Sequence, residues 1–165
     1  MTIKNWAKLV ISIFIAEAAG LIGAMFTASN VSGWYTTITK PVLNPPAWVF
    51  GPVWITLYAL MGIAAYLVWS SYAKATEGQA KLGAKRALYF YGLQLALNAI
   101  WSPIFFGLHN IGLAFAVIFL LWVFIILTIW SFAKISHAAG WLLAPYIVWV
   151  TFAMYLNSAI WILNM

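Results

Sequence analysis

The sequence contains no cysteine and very little charge. None of its 165 residues is cysteine, which excludes disulfides, a thiolate nucleophile and a cysteine-ligated metal site. Only 6% of the residues are Asp, Glu, Lys or Arg, whereas soluble domains carry about 25%. Because so few charges cannot build a water-soluble surface, we expect lipid to surround most of this chain.

Histidine and acidic residues are also scarce. There are two histidines, His109 and His137, and two carboxylate residues, which is a poor set of ligands for a metal ion. We therefore expect no metal site and no obligatory cofactor. No acid–base pair or activated nucleophile is evident that would support ordinary hydrolysis or group transfer.

Long apolar segments dominate what is present. Hydrophobic residues make up 66% of the chain, and about 20 mostly apolar residues suffice to cross a bilayer. Five segments qualify, at about 6–28, 46–72, 84–107, 112–133 and 139–162. We therefore predict a single domain over residues 1–165: an all-α integral membrane protein, a five-transmembrane-helix bundle with a long structured loop between helices 1 and 2.

The predicted topology places nearly all basic residues on one side of the membrane. Seven of the eight lie on the N-terminal side of the membrane, and only Lys40 lies on the other. By the positive-inside rule, the N-terminus is cytoplasmic in a prokaryotic membrane. Since topology explains the pI of about 9.7, no nucleic-acid partner is expected. The seven residues are Lys4, Lys8, Lys74, Lys81, Lys85, Arg86 and Lys134.

The first loop, "WYTTITKPVLNPPAW" at 34–48, is unusually long and stiff. Its prolines, Pro41, Pro45 and Pro46, restrict the backbone, so the loop loses less entropy when it becomes ordered. Trp34 and Trp48 can anchor its ends at the membrane surface. We predict that this loop is a lid over a ligand pocket.

Polar and aromatic side chains share faces inside the predicted spans. Gln94, Asn98, Trp101 and Phe105 follow a helical spacing, and an amide that faced lipid would lack hydrogen-bond partners. A tryptophan inside a span more often packs against lipid or another helix, but these amides favour a pocket in the outer half of the bundle. The predicted ligand-binding residues are Ala24, Trp54, Tyr58, Asn98, Trp101, Phe105, Trp149, Ala153 and Leu156.

Glu17 lies near the middle of the first span, where a carboxylate is costly and rarely faces lipid. It shares a helix face with Gly20 and Ala24. One interpretation is a protonated, hydrogen-bonded acid packed between helices. The other is a functional intramembrane acid that contacts a ligand or couples to protons.

Several motifs together resemble one family, the translocator protein or tryptophan-rich sensory protein family (TspO/MBR, the peripheral-type benzodiazepine receptors). The resemblance covers nearly the whole chain. It rests on "WY" at 34–35, "KP" at 40–41, "NPP" at 44–46, "W…PVW…LY" at 48–58, "QLALN" at 94–98, "WSPIFFG" at 101–107 and "PYIVW…FAMYLN" at 145–157.

The resemblance implies a five-helix bundle, often a homodimer, whose pocket binds porphyrins and other haem-pathway tetrapyrroles beneath the first loop. The lid would comprise Trp34, Tyr35, Lys40, Pro41, Pro45, Pro46 and Trp48. Trp54 and Trp149 match the tryptophans that the family ties to porphyrin breakdown. Two departures stand out: Leu43 replaces a frequent tryptophan, and the end of the chain, "LNSAIWILNM", lacks the family's proposed cholesterol motif.

Four functions follow as alternatives. The first is a membrane receptor, sensor or carrier for porphyrins and similar flat hydrophobic ligands. The second is an enzyme that degrades porphyrins in light through Trp54 and Trp149. A small-molecule transporter is the third, although the chain has no clear inverted repeat and few intramembrane charges. A scaffold with small-residue helix contacts is the fourth.

Overall fold

The computed structural model describes residues 3–74 and 78–165, and every regular element in these ranges is helical. The loop between α1 and α3, residues 32–46, contains the short helix α2 and lies at one end of the bundle, which we call the loop end. The elements are α1 (Ile3–Val31), α2 (Trp34–Thr37), α3 (Ala47–Lys74), α4 (Gln79–Ser102), a π-helix (Pro103–Gly107), α5 (Ile111–Ala133), α6 (His137–Trp141) and α7 (Ala144–Leu163).

The prediction of an all-helical chain is confirmed, whereas the count of five spans is not. Among the described residues, four stretches are long and apolar enough to cross a membrane: 5–31, 47–73, 111–133 and 137–163. The last of these is divided by a turn between α6 and α7, where Pro145 occupies the first turn of the new helix. Proline suits that position because its missing N–H would have no helical partner there.

The third predicted segment, 84–107, differs from the prediction at both ends. α4 begins earlier, at Gln79, and its first two turns carry Lys81, Lys85 and Arg86, which lower its mean hydropathy. At the other end the helix widens into the π-helix, where the N–H of Leu108 donates to the carbonyl of Pro103 at 2.9 Å. In this π-helix Phe105 and Phe106 are buried and belong to one aromatic cluster.

The long helices pack as a ring in the order α1, α3, α7, α5 and α4, with the closest packing between α1 and α3 and between α4 and α5. At the α1–α3 contact, a β-carbon on Gly62 would lie only 2.5 Å from Cα of Ile13. Glycine is therefore needed for this approach. The thinnest contact in the ring lies between α3 and α7.

Candidate ligand-binding site

An apolar groove follows the thin seam between α3 and α7. Its volume is about 790 Å³, within the usual range for small-molecule sites, about 300–1,000 Å³. Thr56 and Val148 are exposed at its mouth, so the groove opens sideways from the bundle. It is lined by Pro52, Val53, Thr56, Leu57, Leu60, Pro145, Val148, Trp149 and Phe152.

The first loop closes the loop end of this seam. The backbone N–H of Thr39 donates to Asn164 Oδ1, and Asn164 Nδ2 donates to the carbonyl of Thr39, both at 2.9 Å. Asn164 follows α7 directly, and α3 begins at Ala47. Residues 40–46 therefore run from the end of α7 to the start of α3.

An aromatic cluster holds the first half of the loop. Trp34 stacks on His109, with ring centroids 4.3 Å apart, and meets the edge of Phe105 at 5.6 Å. Tyr35 is buried against Phe105 and Phe106. Trp34 is thus half-buried against protein at this end of the loop, whereas Trp48 is 75% exposed at the other end.

A hydrogen bond also closes the loop on itself. The Tyr35 hydroxyl donates to Asn44 Oδ1 at 2.7 Å, and Lys40 Nζ lies 5.0 Å from the centre of the Tyr35 ring. Burial raises the pKa of the Tyr35 phenol, and the hydrogen bond to Asn44 offsets this only in part. The hydroxyl therefore remains a donor at neutral pH, and Pro41, which is half-buried, stiffens the chain between these contacts.

A hydrogen-bonded network at the centre of the bundle includes two of the predicted ligand-binding residues, Tyr58 and Asn98. The Tyr58 hydroxyl donates to Asn98 Oδ1, Asn98 Nδ2 donates to the Tyr146 hydroxyl at 2.9 Å, and that hydroxyl donates to Gln94 Oε1 at 2.8 Å. All four side chains are buried. The network joins α3, α4 and α7. In this structure the hydrogen bond between Tyr58 and Asn98 links α3 to α4.

The two tryptophans that the resemblance links to porphyrin breakdown lie in different surroundings. Trp149 lines the groove and meets the edge of Phe50 at 6.0 Å. Trp54 stacks on Tyr58 at 5.5 Å and meets the edge of Tyr146 at 6.3 Å. Of these two tryptophans, Trp149 belongs to the groove lining, whereas Trp54 packs against two members of the central network.

The remaining predicted residues fall into three groups. Trp101 stacks on Phe105 at 4.9 Å, so both rings belong to the aromatic cluster around Tyr35. The indole N–H of Trp101 donates to Asn157 Oδ1 at 3.1 Å. Leu156 is buried and Ala153 half-buried on α7. Ala24 is exposed on α1, apart from both the network and the groove lining.

Comparison with known proteins identifies the family. A sequence model of the TspO/MBR family matches residues 12–162. The chain belongs to the TspO/MBR family. It is an integral membrane protein, as this membership and the four long apolar helices both indicate.

Three relatives show how far the similarity extends. The tryptophan-rich protein TspO of Chlorobaculum tepidum is 40% identical over 161 residues, which cover 98% of each chain. The tryptophan-rich sensory protein of Cereibacter sphaeroides is 37% identical over 154 residues, covering 93% of this chain and 89% of that protein. The translocator protein of Homo sapiens is 39% identical over 140 residues, covering 85% and 80%.

Glu17 is half-buried on α1 of this TspO/MBR family member. Gly20, one turn further on, lies directly under the Tyr58 ring. Within residues 3–74 and 78–165, the carboxyl group has no hydrogen-bond or ion-pair partner. The hydrogen bond that the first interpretation of this residue requires is therefore not formed within the described part of the chain.

Sequence reasoning missed several residues that shape this TspO/MBR site. Phe50 and Phe152 flank Trp149 at 6.0 and 5.8 Å, but phenylalanines in apolar segments carry no distinguishing signal. Asn164 lies beyond the last predicted span. Tyr146 offered a signal, because a phenol inside an apolar segment requires a hydrogen-bond partner.

Proposed function

We propose that this TspO/MBR family member is a membrane receptor or carrier that binds porphyrins and similar flat hydrophobic molecules between α3 and α7. The apolar groove with Trp149 in its wall carries this proposal. A flat aromatic ligand can stack on the indole and bury apolar surface against the prolines and aliphatic side chains. Relatives named tryptophan-rich sensory protein and translocator protein support a role in sensing or carrying a ligand.

We also propose that α4 and the π-helix together form the fifth membrane span. The 21 residues from Ala87 to Gly107 contain no charged side chain. At 1.5 Å per residue they extend about 30 Å, the thickness of the hydrocarbon layer. The basic residues Lys81, Lys85 and Arg86 then lie at the membrane surface opposite the loop end, which is the cytoplasmic surface by the positive-inside rule.

Filling the groove tests the binding proposal. Val148 lines the groove and is 69% exposed, and Ile162 is 70% exposed further along the same helix. In a dark titration with protoporphyrin IX, Val148→Trp should weaken binding about tenfold because its indole occupies ligand space. Ile162→Trp should bind like wild type. Equal affinity in all three proteins would place the ligand elsewhere.

Illumination tests the enzymatic alternative on the same samples. Porphyrin degradation through both Trp54 and Trp149 requires both indoles to reach one ligand, whereas only Trp149 lines the groove. We expect saturable binding with no protein-dependent product after illumination. A new absorbing species that needs both indoles would instead favour the degrading enzyme, and porphyrin accumulation in sealed proteoliposomes would favour transport.

A further inference from the structure

The central network runs in one direction from donor to acceptor. Because Tyr58 donates to Asn98 Oδ1, the Asn98 amide nitrogen faces Tyr146 and donates to its oxygen. Tyr146 then uses its single proton to donate to Gln94 Oε1. Each hydroxyl proton and amide oxygen in this series of hydrogen bonds is used. The series therefore ends at the amide nitrogen of Gln94.

That terminal nitrogen is a buried donor with no acceptor. Gln94 is 1% exposed, yet its Nε2 has no hydrogen-bond partner in the described structure. Tyr91 is 7% exposed, and its hydroxyl likewise has no partner within residues 3–74 and 78–165. Two unpaired polar groups this deeply buried are costly, most of all in a membrane protein, where the surrounding lipid supplies no hydrogen bonds.

The two unpaired groups share one region of the core. Tyr91 and Gln94 are three residues apart on α4 and therefore lie on the same face. The Tyr91 ring stacks on Phe132 at 5.8 Å, which fixes its orientation. Tyr91 belongs to the same buried cluster as Tyr146, the residue whose hydroxyl contacts Gln94.

We propose that Gln94 Nε2 and the Tyr91 hydroxyl form a binding site for one hydrogen-bond-accepting oxygen atom at the centre of the bundle. The oxygen accepts a hydrogen bond from each group and completes the series of hydrogen bonds that begins at Tyr58. It is supplied by a buried water molecule, which needs two or more polar partners of this kind, or by a carbonyl or carboxylate oxygen of a bound molecule. Only the second source rests on the proposed porphyrin-binding function.

Removing the Tyr91 hydroxyl should change the melting temperature differently for a water-filled site and for an empty one. Tyr91→Phe keeps the ring on Phe132 and deletes only the oxygen. If water occupies the site without ligand, the melting temperature in detergent should fall by about 3 °C. If the site is empty, the substitution removes an unpaired buried group, and the melting temperature should stay constant or rise. Tyr89→Phe, on the same helix and 63% exposed, is the matched control and should not shift it.

A double-mutant cycle decides whether the two groups share an occupant. We expect the falls in melting temperature for Tyr91→Phe and Gln94→Met to be non-additive, with the double variant less destabilised than the sum. Additive falls would mean that the two groups do not hold one oxygen and would overturn the water-filled site.

Two porphyrins separate the second source from the first. Protoporphyrin IX carries carboxylates, whereas octaethylporphyrin contains no oxygen. If a ligand oxygen occupies the site, Tyr91→Phe should weaken protoporphyrin IX binding about tenfold and leave octaethylporphyrin unchanged. If the melting temperature does not fall and both affinities are unchanged, the proposal is overturned. If wild type binds neither porphyrin, the proposed function fails, while the ligand-free cycle still decides whether water occupies the site.

Discussion

Asn164, which directly follows α7, holds the backbone of Thr39 through two hydrogen bonds of 2.9 Å, one donated and one accepted. The two residues are 125 positions apart in the sequence, so this contact joins distant parts of the chain. Asn164 Nδ2 also donates to the carbonyl of Ile160 at 2.7 Å, which fixes the amide on the end of α7. The residue that caps α7 therefore holds the first loop at Thr39.

Removing this clamp should loosen the loop. Since the chain has no cysteine, Ala114→Cys introduces a single thiol into the buried cluster beneath Tyr35, Phe105 and Phe106. In this background Asn164→Ala should speed thiol labelling about tenfold, because each lost hydrogen bond contributes about 1 kcal/mol. Asn164→Asp keeps the acceptor for the Thr39 N–H and should have a smaller effect. Labelling at the parent rate in Asn164→Ala would show that the clamp does not hold the loop.

His109 should stabilise the other half of the loop. Asn30 Nδ2 donates to Phe26 and Ser29, so Asn30 Oδ1 is left to accept from His109 Nε2 at 3.4 Å. The imidazole is thereby held flat against Trp34. His109→Asn tolerates the left-handed backbone at this position, φ 53°, but loses the stack, so labelling of Ala114→Cys should accelerate severalfold. His137→Asn, remote from the loop, is the control, and equal rates in both variants would contradict the role of the stack.

Gly62→Ala should destabilise the bundle. The added carbon would meet the Ile13 backbone at 2.5 Å, and overpacking of this kind costs about 1–3 kcal/mol. Gly92, also in a long helix, has no atom within 4 Å of the equivalent position, so Gly92→Ala should be neutral or stabilising. Thermal unfolding in detergent measures both. A melting temperature for Gly62→Ala equal to that of wild type would show that α1 and α3 pack less closely.

Glu17→Leu should raise the melting temperature by a few degrees. A carboxyl group without a partner inside a span is destabilising, and the described chain offers Glu17 none. Glu17→Gln should have a smaller effect, because its amide also lacks a partner. A fall in melting temperature would mean that the carboxyl is paired in the assembled protein, for example by a second copy of the chain.

The sequence predicted the helices where an uninterrupted apolar run decided the structure. α3 and α5 lie within a few residues of their predicted bounds. α4 began earlier than predicted because hydropathy marks where lipid begins, whereas a helix continues into water as long as its hydrogen bonds form. The widened turn after Pro103 and the break before Pro145 depend on tertiary packing, which apolar runs do not encode.

Residue pairing across helices was the least predictable part of the site. Helical spacing correctly put Asn98 on an inward face. It did not predict the hydrogen bond between Asn98 and Tyr146, because spacing within one helix does not give the rotation of another. Likewise Trp54 and Trp149 were expected to face one ligand. In the structure Tyr58 and Tyr146 pack against Trp54, whereas Trp149 lines the groove, and spacing along one helix predicts neither arrangement.

The most direct test of this account is the affinity for protoporphyrin IX in the dark of wild type, Trp149→Leu, Trp54→Leu and Trp141→Leu, each first shown to be folded. Trp141 is 77% exposed on α6 and serves as the control. The α3–α7 groove predicts that Trp149→Leu weakens binding about tenfold, since a stacked ring contributes about 0.5–1.5 kcal/mol beyond the area that it buries. Trp54→Leu and Trp141→Leu should change affinity less than threefold. Equal losses for Trp54→Leu and Trp149→Leu would contradict the groove and place the ligand in the centre of the bundle.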